Sequence, residues 1–362
     1  MMTSQIKRDY MVGQALETPE ESGLAVEGNR VLLEVRDLYT HFLTDRGIAH
    51  AVNGVSFSLE RGKALGITGE SGSGKSVLAR TIMGLLADDG SVIQRGRVLL
   101  EDRELNALSN REMREVRGLE IAIVFQDPMT SLNPVMKIGK QIREVLVKRM
   151  GLDRHKATNR AIELLESVGI PNPRMLLKHY PMHLSGGMRQ RVAIAIALSG
   201  EPKLLIADEP TTALDVTIQA QILDLLDKQR RERNMALILI THNLDIVAEH
   251  TDNIAVMYAG RIMEYATSEE LVGQPRMPYA EALMDSAPKL SDPPHTRLKA
   301  IPGLPPNLLQ LPPGCPFRPR CSYAEERCAE ELPSLEYDIS PQHKFACWNP
   351  LTITGLVQPP RH

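Results

Sequence analysis

The chain has 362 residues, 43% of them apolar and 24% charged, a balance that fits one large globular domain or two ordinary ones. Its formal net charge of -3 leaves no basic footprint for nucleic acid over the chain as a whole. Apolar runs such as Val192–Leu198 and Ala236–Ile240 fall far short of the roughly 18 residues that cross a bilayer, and the first residues lack the apolar stretch of a signal peptide.

Residues 1–29 are polar, acidic and unpatterned, and read as a flexible tail. From Val31 the runs VLLEVRDLY and AVNGVSFSLE alternate apolar and polar residues, which predicts antiparallel strands with one buried face. KALGITG follows as a short buried strand and leads through a glycine-rich turn into the helical pattern SVLARTIMGLL. Further buried strands are predicted at Ile121–Phe125, Lys203–Asp208 and Ala236–Thr241. Helical periodicity fills the interval between Phe125 and Lys203, as in IGKQIREVLVKRM and RHKATNRAIELLESVG. Strands alternating with helices predict a mostly parallel α/β sheet covered by helices, with the long helical stretch as a subdomain. After about Leu271 prolines become dense and helical periodicity fades, so a linker and a small appendage are expected.

GESGSGKS, Gly69 to Ser76, fits G-x-x-x-x-G-K-[ST] between a buried strand and a helix. Backbone N–H groups of Gly69, Ser71, Gly72, Ser73 and Gly74 can curl around phosphate oxygens, and the helix N-terminus adds its positive dipole end. Lys75 is placed to reach the β- and γ-phosphates of ATP, and Ser76 to hold Mg²⁺. In LLIADEP an apolar strand ends in two acids at the edge where open α/β sheets bind ligands. Asp208 is expected to help hold Mg²⁺, and Glu209 to polarise an attacking water.

LSGGMRQR, Leu184 to Arg191, begins a helix, and here the chain resembles one family specifically: LSGG-x-x-Q is similar to the signature of ABC-type ATPases. The other family motifs follow in order. Gln126 in VFQDP matches the Q-loop glutamine, which the resemblance adds to the Mg²⁺ ligands. Asp215 in TTALD matches the D-loop, and His242 in ITHNLD the switch histidine. The resemblance implies a P-loop ABC ATPase fold over residues 30–270: a parallel sheet core, an antiparallel β subdomain and a helical subdomain at about 127–200. It also implies a head-to-tail pair in which Ser185, Gly186, Gly187 and Gln190 of one chain face the ATP of the other. Phe42 in YTHF is the candidate for stacking on adenine, with a buried core role as the alternative.

VFQDPMTSLNP, the Met188 signature and the tail MPYAEAL, IPGLPP and PPGCPFRPRC resemble the dipeptide, oligopeptide and nickel importer branch. The branch usually has His where Met277 stands. The resemblance implies a subunit that energises di- or oligopeptide import from the cytoplasmic face of the membrane. Its partners would be a second, related ATPase, two transmembrane permeases and an extracytoplasmic binding protein. A related importer for glutathione, nickel or another solute is the alternative, and a non-transport ABC ATPase a more distant one. A P-loop kinase or GTPase would leave LSGGMRQ unexplained.

All four cysteines, Cys315, Cys321, Cys328 and Cys347, lie in the appendage at 271–362. Four thiolates could hold an iron–sulfur cluster or Zn²⁺, or the four could be unligated thiols or two disulfides. The spacing departs from paired zinc knuckles, and some relatives with this tail carry a [4Fe–4S] cluster, so the cluster is the expectation here.

Overall fold

The computed structural model describes residues 31–127, 131–212, 214–286, 300–338 and 340–351. The tail expected at 1–29 lies outside them. Val31–Thr44 (β1) and Gly47–Glu60 (β2) form a long antiparallel hairpin, and Val92–Leu100 (β4) and Arg103–Glu104 (β5) complete a four-stranded sheet in the order β2-β1-β4-β5. The predicted alternation is present. The strands also run on through YTHFLT and GIAH, with register shifts along β1 that keep Leu33, Val35 and Leu38 on the buried face.

The second sheet has eight strands. Ala64–Thr68 (β3), Ile121–Val124 (β6), Leu204–Asp208 (β7), Ala236–Ile240 (β8) and Asn253–Tyr258 (β9) run parallel in the order β9-β3-β8-β7-β6, with β6 at the edge. The sheet continues on the β9 side through Arg261–Thr267 (β10), Lys344–Phe345 (β12) and Glu336–Tyr337 (β11). Every residue of β3, β7 and β8 is buried, which is why they read as unbroken apolar runs rather than alternating ones. Arg261–Thr267 (β10) turns back antiparallel to β9.

The principal helices are Lys75–Ile82 (α1), Asn110–Val116 (α2), Ile138–Lys148 (α3), Arg154–Ser167 (α4), Gly186–Leu198 (α5), Val216–Arg233 (α6), Leu244–His250 (α7), Ser268–Gly273 (α8) and Pro278–Ser286 (α9). Several start on side-chain caps: Asp153 accepts from His155 and Lys156 backbone N–H, and Ser109 and Thr267 form capping boxes with Glu112 and Glu270. The apolar faces of α3, α4 and α5 share one core with the outer strands, including Ile142, Leu146, Leu165, Ile194 and Leu205.

Past Leu271 the structure departs from the expectation of faded helicity. Pro278 opens α9, a position where its missing N–H costs nothing, and Tyr279, Ala280 and Leu283 are buried beneath it. The appendage is also no separate unit. Lys344–Phe345 (β12) pairs with β10, and Glu336–Tyr337 (β11) pairs with β12, so the tail extends the main sheet. Buried Glu264 on β10 anchors it, accepting from Arg276 and Met277 backbone N–H and lying 2.7 Å from His343 Nε2.

Candidate functional site

Four adjacent parallel strands end at one edge of the sheet, and each delivers a motif there. β3 delivers the phosphate loop, β6 Gln126, β7 Asp208 and Glu209, and β8 Thr241 and His242. The loop needs its glycines: Gly69 and Gly74 adopt φ of 144° and 103°, and a Cβ there would come within 2.1 Å of the Met257 carbonyl and 2.2 Å of the Ala51 carbonyl.

Lys75 is buried under this loop. Its Nζ donates to the carbonyls of Gly69 at 2.7 Å and Glu70 at 2.8 Å, and lies 3.3 Å from Ser73 Oγ. Burial lowers its pKa, against the opposing pull of Glu209 and Asp208. Ser76 Oγ donates to Asp208 Oδ1 at 2.9 Å. Burial raises the Asp208 pKa, and the Ser76 hydroxyl offsets part of that rise. Glu209, at a positive φ of 47°, accepts from Gln126 Nε2 at 3.0 Å and Thr212 Oγ1 at 2.8 Å. Its other oxygen stands 3.6 Å from His242 Nδ1. The edge thus combines an anion cradle, a cation beneath it, a hydroxyl–carboxylate pair and a second carboxylate aimed by an amide and a hydroxyl.

The signature residues make their contacts on another part of the chain. Ser185 caps α5, its Oγ accepting from Met188 N–H. Gly186 and Gly187 pack close to Leu214 and Ile218, and a Cβ on Gly187 would meet Ile218 Cγ2 at 2.7 Å. Gln190 is fully buried, and neither polar atom of its side chain finds a partner among the described residues. Asp215 caps α6, accepting from Ile218 N–H. Phe42 is half-buried on β1, opposite Ala49 and Val92, two positions along β2 from the Ala51 carbonyl that touches the loop.

The metal expectation for the cysteines is corrected. All four are free thiols, and among the described residues no group of three or more His, Cys, Asp or Glu side chains is placed to hold a metal ion. The thiols serve instead as apolar filling: Cys315 and Cys328 are buried in a core with Tyr258, Tyr279 and Phe317, and Cys321 and Cys347 pack against it. Burial pushes the Cys315 thiol up to about 11 and the Cys347 thiol up to about 12. The appendage shares this core with β9, β10, α7 and α9.

Three residues at the loop were not anticipated. Glu70 meets Tyr279 and Arg320, which lie 209 and 250 residues further on. No local pattern marks such long-range partners.

Fold and site together define a P-loop ATP-binding cassette. Residues 52–212 match the model of the ABC transporter family, and residues 263–328 that of the oligopeptide/dipeptide transporter C-terminal region. The chain is 52% identical over 297 residues to the oligopeptide transport ATP-binding protein OppD of Haemophilus influenzae, covering 82% of this chain and 91% of that one. With OppD of Bacillus subtilis it shares 49% identity over 329 residues, 91% of this chain and 92% of the other. A dimeric structure of the ATP-binding cassette MJ0796 in a post-hydrolysis state bound to ADP and Pi is similar at TM-score 0.59 and 26% identity. It covers 66% of this chain and 99% of that one. The chain therefore belongs to the ATP-binding subunits of the oligopeptide/dipeptide branch of ABC transporters, and is an ABC-type ATPase.

Proposed function

We propose that this ATPase energises import of di- or oligopeptides, and that its reaction centre is the sheet edge just described. The observation that carries the reading is the convergence of Gln126, Asp208, Glu209 and His242 on the mouth of the phosphate loop. Backbone N–H groups of Gly69, Ser71, Gly72, Ser73 and Gly74 hold the phosphates, and Lys75 leaves its carbonyl partners to meet the β- and γ-oxygens. Ser76, Asp208 and Gln126 offer only oxygen donors, the set that suits Mg²⁺. They would hold the ion, which neutralises charge on the phosphate oxygens. Glu209, aimed by Gln126 and Thr212, orients the attacking water, and His242 contacts the γ-phosphate. Phe42 stacks on adenine.

The second half of the site comes from another ATPase subunit, a related chain in a heterodimer, whose Ser185, Gly186 and Gly187 equivalents close over the nucleotide. Relatives named for oligopeptide transport support the cargo class. Among the described residues no helix is long and apolar enough to cross a membrane. The transport path is formed by two permease subunits, which receive cargo from an extracytoplasmic binding protein. The chain sits peripherally on the cytoplasmic face, with residues after Gln126 through about Gly139 against the permeases. There, a groove lined by Val135, Met136, Lys137, Lys140, Arg143 and Tyr180 supplies an apolar and basic docking surface. In this reading residues 30–270 are the motor, 127–200 its helical part and 271–362 the appendage.

The test is ATP hydrolysis by the assembled transporter in vesicles, with empty binding protein and with binding protein loaded with an oligopeptide. Peptide-dependent stimulation that drives uptake is the expected result. Hydrolysis stimulated by glutathione or nickel instead would reassign the cargo.

A further inference from the structure

Glu70, the second residue of the phosphate loop, has every polar group engaged. Its backbone N–H donates to Tyr279 Oη at 2.8 Å, and its carbonyl accepts from Lys75 Nζ at 2.8 Å. Its carboxylate accepts from both terminal nitrogens of Arg320, Nη2 to Oε1 at 2.8 Å and Nη1 to Oε2 at 2.5 Å. Arg320 belongs to the C-terminal appendage and is buried, 7% exposed. Its remaining donors are also taken: Nε donates to the Pro302 carbonyl at 2.7 Å, and Nη1 lies 3.2 Å from Tyr258 Oη.

The surroundings hold this arginine rigidly. The rings of Tyr258, Tyr279 and Phe317 pack against one another with centroids 4.6, 5.4 and 5.1 Å apart. The proline-rich segment of the appendage crosses the loop: Pro305, Pro306 and Leu308 face Glu70–Ser73 across a narrow cleft, and the Leu308 carbonyl accepts from His50 N–H at 3.0 Å. Gly303 supplies the φ of +75° with which that segment turns beside the aliphatic stem of Arg320.

Two physical effects follow. A loop rich in glycine has many conformations to lose, and fixing Glu70 at backbone and side chain removes much of that freedom before nucleotide arrives. The Glu70 carboxylate also stands in the loop that receives phosphates, and a buried bidentate guanidinium cancels its charge.

We infer that the C-terminal region positions the phosphate loop: Arg320, with Tyr279, holds Glu70 in the conformation that receives nucleotide phosphates and neutralises its charge, so nucleotide affinity depends on the appendage. Arg320 is a positioning residue, acting through Glu70. The inference rests on the reading of Gly69–Ser76 as the nucleotide site.

The experiment measures Kd for Mg-ATP and Mg-ADP on the full chain by displacement of a fluorescent nucleotide, with thermal unfolding recorded without nucleotide. Arg320→Gln should weaken ATP binding by roughly tenfold or more, the range expected on losing hydrogen bonds to a charged group. Tyr279→Phe keeps the ring packing and removes only the acceptor, and should weaken binding several-fold. The double variant Glu70→Gln, Arg320→Gln carries no stranded charge and should recover only part of the affinity, because the pair that fixes Glu70 is still missing. Should Arg320→Gln fail to fold, Tyr279→Phe decides alone. Folded single variants that bind ATP like the wild type would overturn the inference while leaving the ATPase reading intact. So would a double variant that binds ATP as tightly as the wild type, since it lacks the pair that fixes Glu70. A wild-type chain that binds no nucleotide would overturn both.

Discussion

Gln126 and Glu209, 83 residues apart in sequence, meet through a hydrogen bond of 3.0 Å from the glutamine amide to the carboxylate. They bring the ends of β6 and β7 to one point, and Thr212 Oγ1 holds the same carboxylate oxygen at 2.8 Å. A carboxylate fixed in this way is suited to orienting a water, and an amide of the same shape is not. Glu209→Gln should leave nucleotide occupancy near wild type and lower turnover in the assembled transporter by a factor on the order of 100 or more, the scale of general-base catalysis. Phosphate release and bound nucleotide are the measurements. Near-normal hydrolysis would remove Glu209 from its role.

Lys75 makes the opposite kind of contribution. Its ammonium is buried beneath the loop and held by two carbonyls that nucleotide phosphates would replace as partners. Lys75→Ala removes that cation and should weaken ATP binding itself by roughly tenfold or more, as expected for a charge-assisted contact. Equilibrium binding separates this from Glu209→Gln, which alters turnover at unchanged occupancy.

How much of this was legible depends on the distance over which the chemistry is written. A phosphate cradle needs glycines, a lysine and a hydroxyl within eight consecutive residues, so Gly69–Ser76 declared itself. Asp208 and Glu209 were legible because a fully buried strand that ends in two acids has one place to put them. The Arg320–Glu70 pair was invisible because its members are 250 residues apart and each is an ordinary surface type. The cysteines misled for another reason. Their clustering was real, but spacing alone does not separate a ligand set from thiols filling an apolar core, and the ring cluster of Tyr258, Tyr279 and Phe317 beside them comes from distant segments. The helix at Pro278–Ser286 is masked because proline density reads as linker, whereas a proline in the first turn starts a helix.

The signature helix yields a third expectation. Ser185 caps α5 in its own chain, yet its proposed work lies on the nucleotide of a partner. Ser185→Ala should cost about 1 kcal/mol of stability through the lost cap, and the isolated chain should bind ATP as before. Hydrolysis by the assembled transporter should fall far more than that loss explains. The isolated wild-type chain should itself hydrolyse ATP slowly and speed up with its partner subunits. Full, unstimulated activity from a strict monomer would contradict the shared site.

The appendage should be fastened chiefly at Glu264. This carboxylate is fully buried, accepts two backbone N–H bonds and lies against His343. Glu264→Leu strands those donors in an apolar setting and should destabilise the chain by roughly 3 kcal/mol or more. Urea unfolding measures the loss, and limited proteolysis should find its first new cuts in the C-terminal region. Wild-type stability would show that the tail is held elsewhere.

His41 and His50 supply a pH dependence. Their rings meet edge to face across the β1–β2 hairpin, with His50 Nδ1 3.3 Å from His41 Nε2, and His41 is almost fully buried. Burial and the neighbouring His50 lower the His41 pKa to about 4, and Arg95 and Arg261 push the same way. Because the folded value lies below the unfolded one, the neutral ring's contribution is complete above about pH 6.5 and is lost as pH falls toward 4. The amount at stake is roughly 3 kcal/mol, spread over that window. His41→Gln cannot gain a proton there, so its stability should fall less steeply over the same interval, even if it is lower at pH 7. Denaturant unfolding of both proteins at half-unit steps from pH 7 to pH 4 gives the comparison. Parallel curves would show that protonation of His41 does not limit acid stability.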